Sequence, residues 1–273
     1  MTHLFLCNIM SSLVGTPQPN TIDTLSLINK IRAYEPAIIK IIFDFTFVYC
    51  SEDKEGKYPY IWVLPAPGTK TILKDSFRTN KVLKYIIIDD SVETIDDRAF
   101  GGDCSMTHLS IGDYVKNIEF CAFNSCKKLK NLSIGKSVKV IGRSSFAWCL
   151  SLTEVIIPDS VEKVCFEAFY KCPKLEKIIF GKSVKIIERC MAWHNPNLKE
   201  LYFNDKLEFI GAKAFQDCIS LTHITIPDSV QNIENYAFYN CDSLKNASIP
   251  SHLFDKVKKN KVFPEDTKIT VRD

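Results

Sequence analysis

One aromatic residue recurs through most of the chain on a fixed grid. Phe77, Phe100, Phe123, Phe146, Phe169, Phe215 and Phe238 fall on a 23-residue spacing, with Ala192 in the one gap. Other columns travel with it. Six residues after each Phe stands Leu83, Met106, Leu129, Leu152, Leu175, Leu198, Leu221 or Leu244. Three further on come Ile86, Leu109, Leu132, Val155, Ile178, Leu201, Ile224 and Ala247, and two beyond those Ile88, Ile111, Ile134, Ile157, Phe180, Phe203, Ile226 and Ile249. A unit this short cannot enclose a core, so each coil has to bury its apolar columns against the coils beside it. The alternation at the end of L-x-x-[LIV]-x-[IF] predicts a short strand whose apolar residues point inward. A turn residue such as Gly135, Pro158, Gly181 or Pro227 follows at once. Stacked strands predict one parallel sheet along one face, with helical or irregular Phe-bearing turns opposite.

The clearest copies run over 156–180 (IIPDSVEKVCFEAFYKCPKLEKIIF) and 225–249 (TIPDSVQNIENYAFYNCDSLKNASI). The unit they share resembles the BspA-like, or Treponema-type, leucine-rich repeat family, over about Phe77 to Leu253. That resemblance implies a repeat α/β solenoid: a right-handed leucine-rich repeat with a 23-residue period and a parallel β-sheet on its concave face. It also implies a role in protein contacts, often in surface or adhesin proteins, and no catalytic residues or cofactor.

Three segments are expected. Residues 1–60 form an N-terminal helix/strand cap, 61–257 the solenoid and 258–273 a C-terminal cap. Ile22, Leu25, Ile28 and Ile31 suit a short helix over 21–34 that stops before Pro36. Ile38 to Tyr49 and Tyr58 to Leu64 read as paired strands joined by the polar 51–57. At the other end Lys256 enters an apolar column, the run 258–261 breaks the grid, and Lys268 to Val271 reads as a closing strand. A solenoid needs such caps because an open end exposes both core and strand edges.

Charge narrows the classes. With 35 basic against 32 acidic residues the net charge is +3, which gives no broad electrostatic footprint for nucleic acid. The most apolar run, Ala37 to Cys50, is broken by Lys40 and Asp44 and is shorter than a spanning helix, so no membrane insertion is expected. Leu4 to Val14 resembles a signal-peptide core only faintly, because no Lys or Arg precedes it and Asn8, Ser11 and Ser12 interrupt it.

Chemistry-bearing residues have repeat explanations. Five of the 11 cysteines share one column, Cys126, Cys149, Cys172, Cys218 and Cys241, with Asn80, Asp103 and Asn195 there in other coils. Coils about 4.8 Å apart hold such side chains parallel, which suits neither a disulfide nor, without a Cys-x-x-Cys pair, zinc. They are expected to be small buried thiols, and unpaired thiols favour a reducing, cytoplasmic setting over the cell surface. His108 and His223 share a strand position but lie too many coils apart to share a metal. The two Gly-Lys-Ser tripeptides, 135–137 and 181–183, lack the upstream glycine of a phosphate loop and are turns. The recurring serines 91, 137, 160, 183 and 229 are a turn feature. Trp148, Tyr170 and Trp193 are expected to serve packing. Loss of the Phe at 192 would cost about 3–5 kcal/mol unless refilled, and Trp193 is expected to swing into that pocket. Asn131 and Asn246 begin glycosylation sequons, which act only in a secretory pathway.

The sheet face carries the functional expectation. Its outward residues are Ile87, Ser110, Ser133, Ile156, Ile179, Tyr202, Thr225 and Ser248. Ile156, Ile179 and Tyr202 in consecutive coils make an apolar stripe, flanked by Glu154, Lys177 and Glu200 of alternating sign. An apolar and aromatic centre with a charged rim is how protein interfaces are built. A non-catalytic module binding a protein through its concave sheet is therefore expected. A surface adhesin of the same fold is the first alternative, and an enzyme with an activity seated in 1–60 the second. Neither the partner's identity nor the oligomeric state is readable.

Overall fold

The computed structural model describes residues 47–52, 59–64, 70–81 and 83–273; the helix expected over 21–34 lies outside them. A typical coil contributes one long strand, one two-residue strand and one Phe-bearing turn, and most of these stack on their counterparts in the next coil.

The long strands lie where the alternation puts them: Tyr85–Ile88, His108–Ile111, Asn131–Ser133, Glu154–Ile156, Lys177–Ile179, Glu200–Tyr202, His223–Thr225 and Asn246–Pro250. Where neighbours pair, they do so in parallel with a register of 23, as in Val155 against Ile178 and Ile178 against Leu201. The Leu, Ile and Phe columns they carry are largely buried, and with Phe100 through Phe238 they form one continuous core. Ahead of the first coil, Phe47–Glu52 runs antiparallel to Pro59–Leu64, which pairs in parallel with Tyr85–Ile88. Paired strands were expected here over Ile38 to Tyr49 and Tyr58 to Leu64; their described parts pair as expected, and residues 38–46 and 58 lie outside the described residues.

A second parallel sheet was not expected. Eight two-residue strands, from Thr71–Ile72 to Asn232–Ile233, form an unbroken ladder that buries Ile72, Ile95, Ile118, Ile141, Val164, Ile187, Ile210 and Ile233. Two residues are too short for alternation to announce a strand; the columns were visible, the pairing was not.

The Phe turns are irregular and bond from coil to coil. Phe100, Phe123 and Phe146 donate their N–H groups to the carbonyls of Ala122, Ser145 and Ala168 at 2.8, 2.8 and 2.9 Å. Two left-handed residues bracket each such turn, for example Cys121 and Ser125, Ser144 and Trp148, and Glu167 and Lys171, with φ between 51° and 61°. Non-glycine residues enter that region at a cost, offset here by hydrogen bonding between coils. The Phe rings stack face to face from Phe77 to Phe169, with centroids 4.9–5.4 Å apart.

At Ala192 the stack is interrupted, and Trp193 does not refill it. Trp193 stays half-buried at the surface, donating its indole N–H to Asp217 Oδ2 at 2.8 Å. Met191, next to Ala192 in sequence and in a column otherwise Ser or Ala, is buried in the core. Phe203, in a column otherwise mostly Ile, sets its ring 5.7 Å from Phe215 and 5.5 Å from Phe180. Trp193's polar nitrogen explains the difference, since buried among phenyl rings it would lack an acceptor.

The cysteine column is a hydrogen-bonding device. Thiols of Cys126, Cys149, Cys172, Cys218 and Cys241 donate to the carbonyls of Phe100, Phe123, Phe146, Ala192 and Phe215, at 3.2–3.6 Å. All five are buried and unbridged. Burial pushes the Cys149 and Cys218 thiols well above the ordinary range. Closure at the C-terminus follows Leu253: a short helix, Phe254–Lys259, buries Val257, and Phe263 stacks on Phe238 at 5.5 Å. Lys268–Arg272 then pairs in parallel with Asn246–Pro250.

Candidate functional site

The long-strand sheet is not continuous. Its ladder stops between Asn131–Ser133 and Glu154–Ile156, and again between Glu200–Tyr202 and His223–Thr225. Each break precedes a coil that turns on a proline, Pro158 or Pro227. In that column a Cβ at Gly135 would lie 1.9 Å from the Gly112 carbonyl, and one at Gly181 2.2 Å from that of Pro158. The glycines thus permit a closeness that a ring-bearing residue resists. Pro250 occupies the same column inside a paired strand, so proline contributes to a break without deciding it.

The three strands between the breaks carry all six expected site residues. Pairing sets Ile156 beside Ile179 and Ile179 beside Tyr202, and aligns Glu154, Lys177 and Glu200. Ile156 is 57% and Tyr202 50% exposed, and Ile179 is half-buried between them. Lys177 Nζ lies 3.5 Å from Glu154 and 3.6 Å from Glu200, and the Tyr202 hydroxyl donates to Glu200 Oε2 at 3.2 Å. Such exposed pairs add little stability; they orient a charged edge beside an apolar strip. Asn131 and Asn246 are exposed on the long strands of the two flanking blocks, outside this segment.

Sequence reasoning missed two features. A cleft of about 540 Å³ opens at the second break, lined among others by Tyr202, Asp205, His223, Thr225, Asp228 and Arg272. No signal marks it, because the apolar columns run through it unchanged. On another face, Arg98, Phe120, Arg143, Phe166 and Arg189 alternate. Guanidiniums stand 4.6–5.7 Å from ring centroids along the whole row. That column was readable as alternating Arg and Phe, but its stacking was not.

The remaining candidates are local contacts. His108 and His223 each meet the threonine before them, Thr107 and Thr222, at 2.9 and 3.1 Å, and burial lowers the His108 pKa. Ser160 and Ser229 hydroxyls donate to the carbonyls of Val138 and Leu207 in the coil before, at 2.8 Å each. Trp148, Tyr170 and Trp193 pack on one another at 5.9 and 5.3 Å, with Lys171 over Trp148. Among the described residues no three metal-ligating side chains converge, and no helix is long and apolar enough to cross a membrane.

The chain matches the BspA type leucine rich repeat region over residues 70–196 and 189–270, in six copies. Among solved structures it resembles the T. pallidum leucine rich repeat protein, with a TM-score of 0.55 and 21% identity over 81% of this chain and 96% of that one. It also resembles a leucine-rich repeat protein from Eubacterium ventriosum, with a TM-score of 0.54 and 22% identity over 67% of this chain and 47% of that one. At these identities the likeness concerns the fold. No curated protein matches the chain.

Proposed function

Because the chain belongs to the BspA-type leucine-rich repeat family, we propose that it is a non-catalytic module that binds a protein partner through its long-strand sheet, centred on Ile156, Ile179 and Tyr202. A solenoid of this family has a general role in protein interaction or at surfaces. What carries it is the register: three consecutive coils present two well-exposed apolar side chains and a third between them, beside the linked charges of Glu154, Lys177 and Glu200. Exposed apolar patches with a polar rim mark interaction sites. Residues 1–60 and 258–273 act in this reading as caps. The unbridged thiols favour a reducing compartment.

The test compares partner capture by wild type, by Ile156→Asp/Ile179→Asp/Tyr202→Asp, and by Ile186→Asp, which alters an exposed residue of the other sheet. Circular dichroism first establishes that all three fold. A partner kept by wild type and Ile186→Asp but lost by the triple variant is the expected result. A partner retained by the triple variant removes this face from the assignment.

A further inference from the structure

The cleft between Glu200–Tyr202 and His223–Thr225 is walled by two strand edges that do not bond to each other. In the coil before, Phe180 N–H donates to Tyr202 O at 2.9 Å; in the coil after, Ile226 N–H donates to Ser248 O at 2.8 Å. Between them, the equivalent bond from Phe203 to Thr225 is not made. Likewise Glu176 O accepts from the N–H groups of Lys199 and Glu200, and Thr222 O from Lys245, while Lys199 O receives neither counterpart, Thr222 or His223. Alternation along a parallel ladder turns the remaining N–H and C=O groups of Leu201, His223 and Thr225 toward the gap. Unmet backbone groups on facing edges are what an extended chain satisfies when it adds to a sheet.

Charge leaves one group open at the cleft. Along the turn column, Asp113 is held by Lys136 at 2.7 Å and Asp159 by Lys182 at 3.2 Å, each from the following coil. The next aspartate, Asp205, is followed by Asp228 instead, which is bound by Arg272 at 2.6 Å. Asp205 lines the cleft, exposed, without the following-coil lysine that pairs with Asp113 and Asp159.

We propose that this cleft receives an extended peptide segment of a partner, whose main chain bonds to the two open edges and whose Lys or Arg side chain reaches Asp205. The cleft's volume of about 540 Å³ falls within the range of ligand sites, roughly 300–1,000 Å³. Its walls run along 201–205 and 223–229, a length that spans four or five residues of extended chain at about 3.3 Å each. A strand parallel to both walls brings its C-terminal end to Asp205, so the basic residue belongs there. The inference deepens the reading of the long-strand sheet as the binding face, and rests on it in supposing that the partner is a protein.

The probe is acetyl-Thr-Val-Thr-Val-Lys amide, titrated into the full chain by calorimetry and amide hydrogen exchange. Binding with slowed exchange at Leu201, Phe203, His223 and Thr225 is the expected result. Replacing the probe's Lys by Glu is expected to weaken binding about tenfold or more, the worth of one charge-assisted hydrogen bond, and methylating its central amide nitrogen to weaken it roughly threefold to tenfold, the worth of a neutral one. Asp205→Asn is expected to remove the Lys preference. Phe203→Ile/Pro227→Gly, which restores the residues of closely paired coils, is expected to abolish binding. Should that variant fail to fold, Asp205→Asn and the methylated probe still decide. No binding, or binding indifferent to the Lys and to methylation, overturns the insertion. Binding unchanged in Ile156→Asp/Ile179→Asp separates it from the stripe, whose own fate depends on partner capture.

Discussion

Asn195 donates its amide nitrogen to the Phe169 carbonyl at 3.0 Å, the bond that a cysteine thiol makes in neighbouring coils, while its Oδ1 accepts the Cys172 N–H at 2.7 Å. One buried side chain thus serves two backbone groups where a thiol donates to one. Asn195→Ala strands both and is expected to lower stability by about 2–4 kcal/mol, since each unmet buried group costs roughly 1–3 kcal/mol. Asn195→Cys is expected to recover about half of that loss. Urea unfolding of the three proteins measures it.

The Ala192 and Phe203 pair gives a second expectation. Ala192→Phe completes the ring stack in sequence, yet Phe203 already sets its ring against Phe215, the next member of that stack. Overpacking should cost about 1–3 kcal/mol, and Phe203→Ile in the same chain should relieve most of it. Additive losses in a double-mutant cycle would show that the two side chains do not share one volume.

Phe166 lies between Arg143 at 4.8 Å and Arg189 at 4.6 Å. Contacts of this kind at the surface contribute about 0.5–1 kcal/mol each. Phe166→Leu is therefore expected to cost about 1–2 kcal/mol. Arg143→Gln should cost less in that background than in wild type, which chemical denaturation of the four proteins resolves.

Glu93 sits between Lys116 and Lys70, whose ammonium groups hold its carboxyl down to about 2 from an ordinary 4.5. A depressed pKa makes this contribution fully present above pH 4.5 and lost as the pH falls through about 2. The melting temperature of Glu93→Gln should thus differ from wild type at pH 5 and converge with it toward pH 2. A difference that persists at pH 2 would point to a cause other than charge.

Strand positions and core were legible because alternation and a 23-residue grid leave few ways to bury the columns; Val155, Ile178 and Leu201 lie where that reasoning puts them. Ile156, Ile179 and Tyr202 were legible as a row for the same reason. Trp193 was misplaced because a column position fixes where a residue attaches and not whether its indole nitrogen finds an acceptor. The cleft escaped notice because Phe203 in an Ile column reads as one more apolar residue. Its consequence depends on a ring reaching Phe215 in the coil that follows, a distance that composition does not encode.

The uninterrupted eight-strand ladder has a mechanical corollary. A stack bonded without a gap along one wall, and parted twice along another, has a stiff back and a compliant front. Tension along the axis should therefore concentrate strain at the two partings, so that the molecule yields by flexing open there before any coil unravels. Bending of this kind would vary the spacing between the three blocks of long strands while leaving the pairing within each intact.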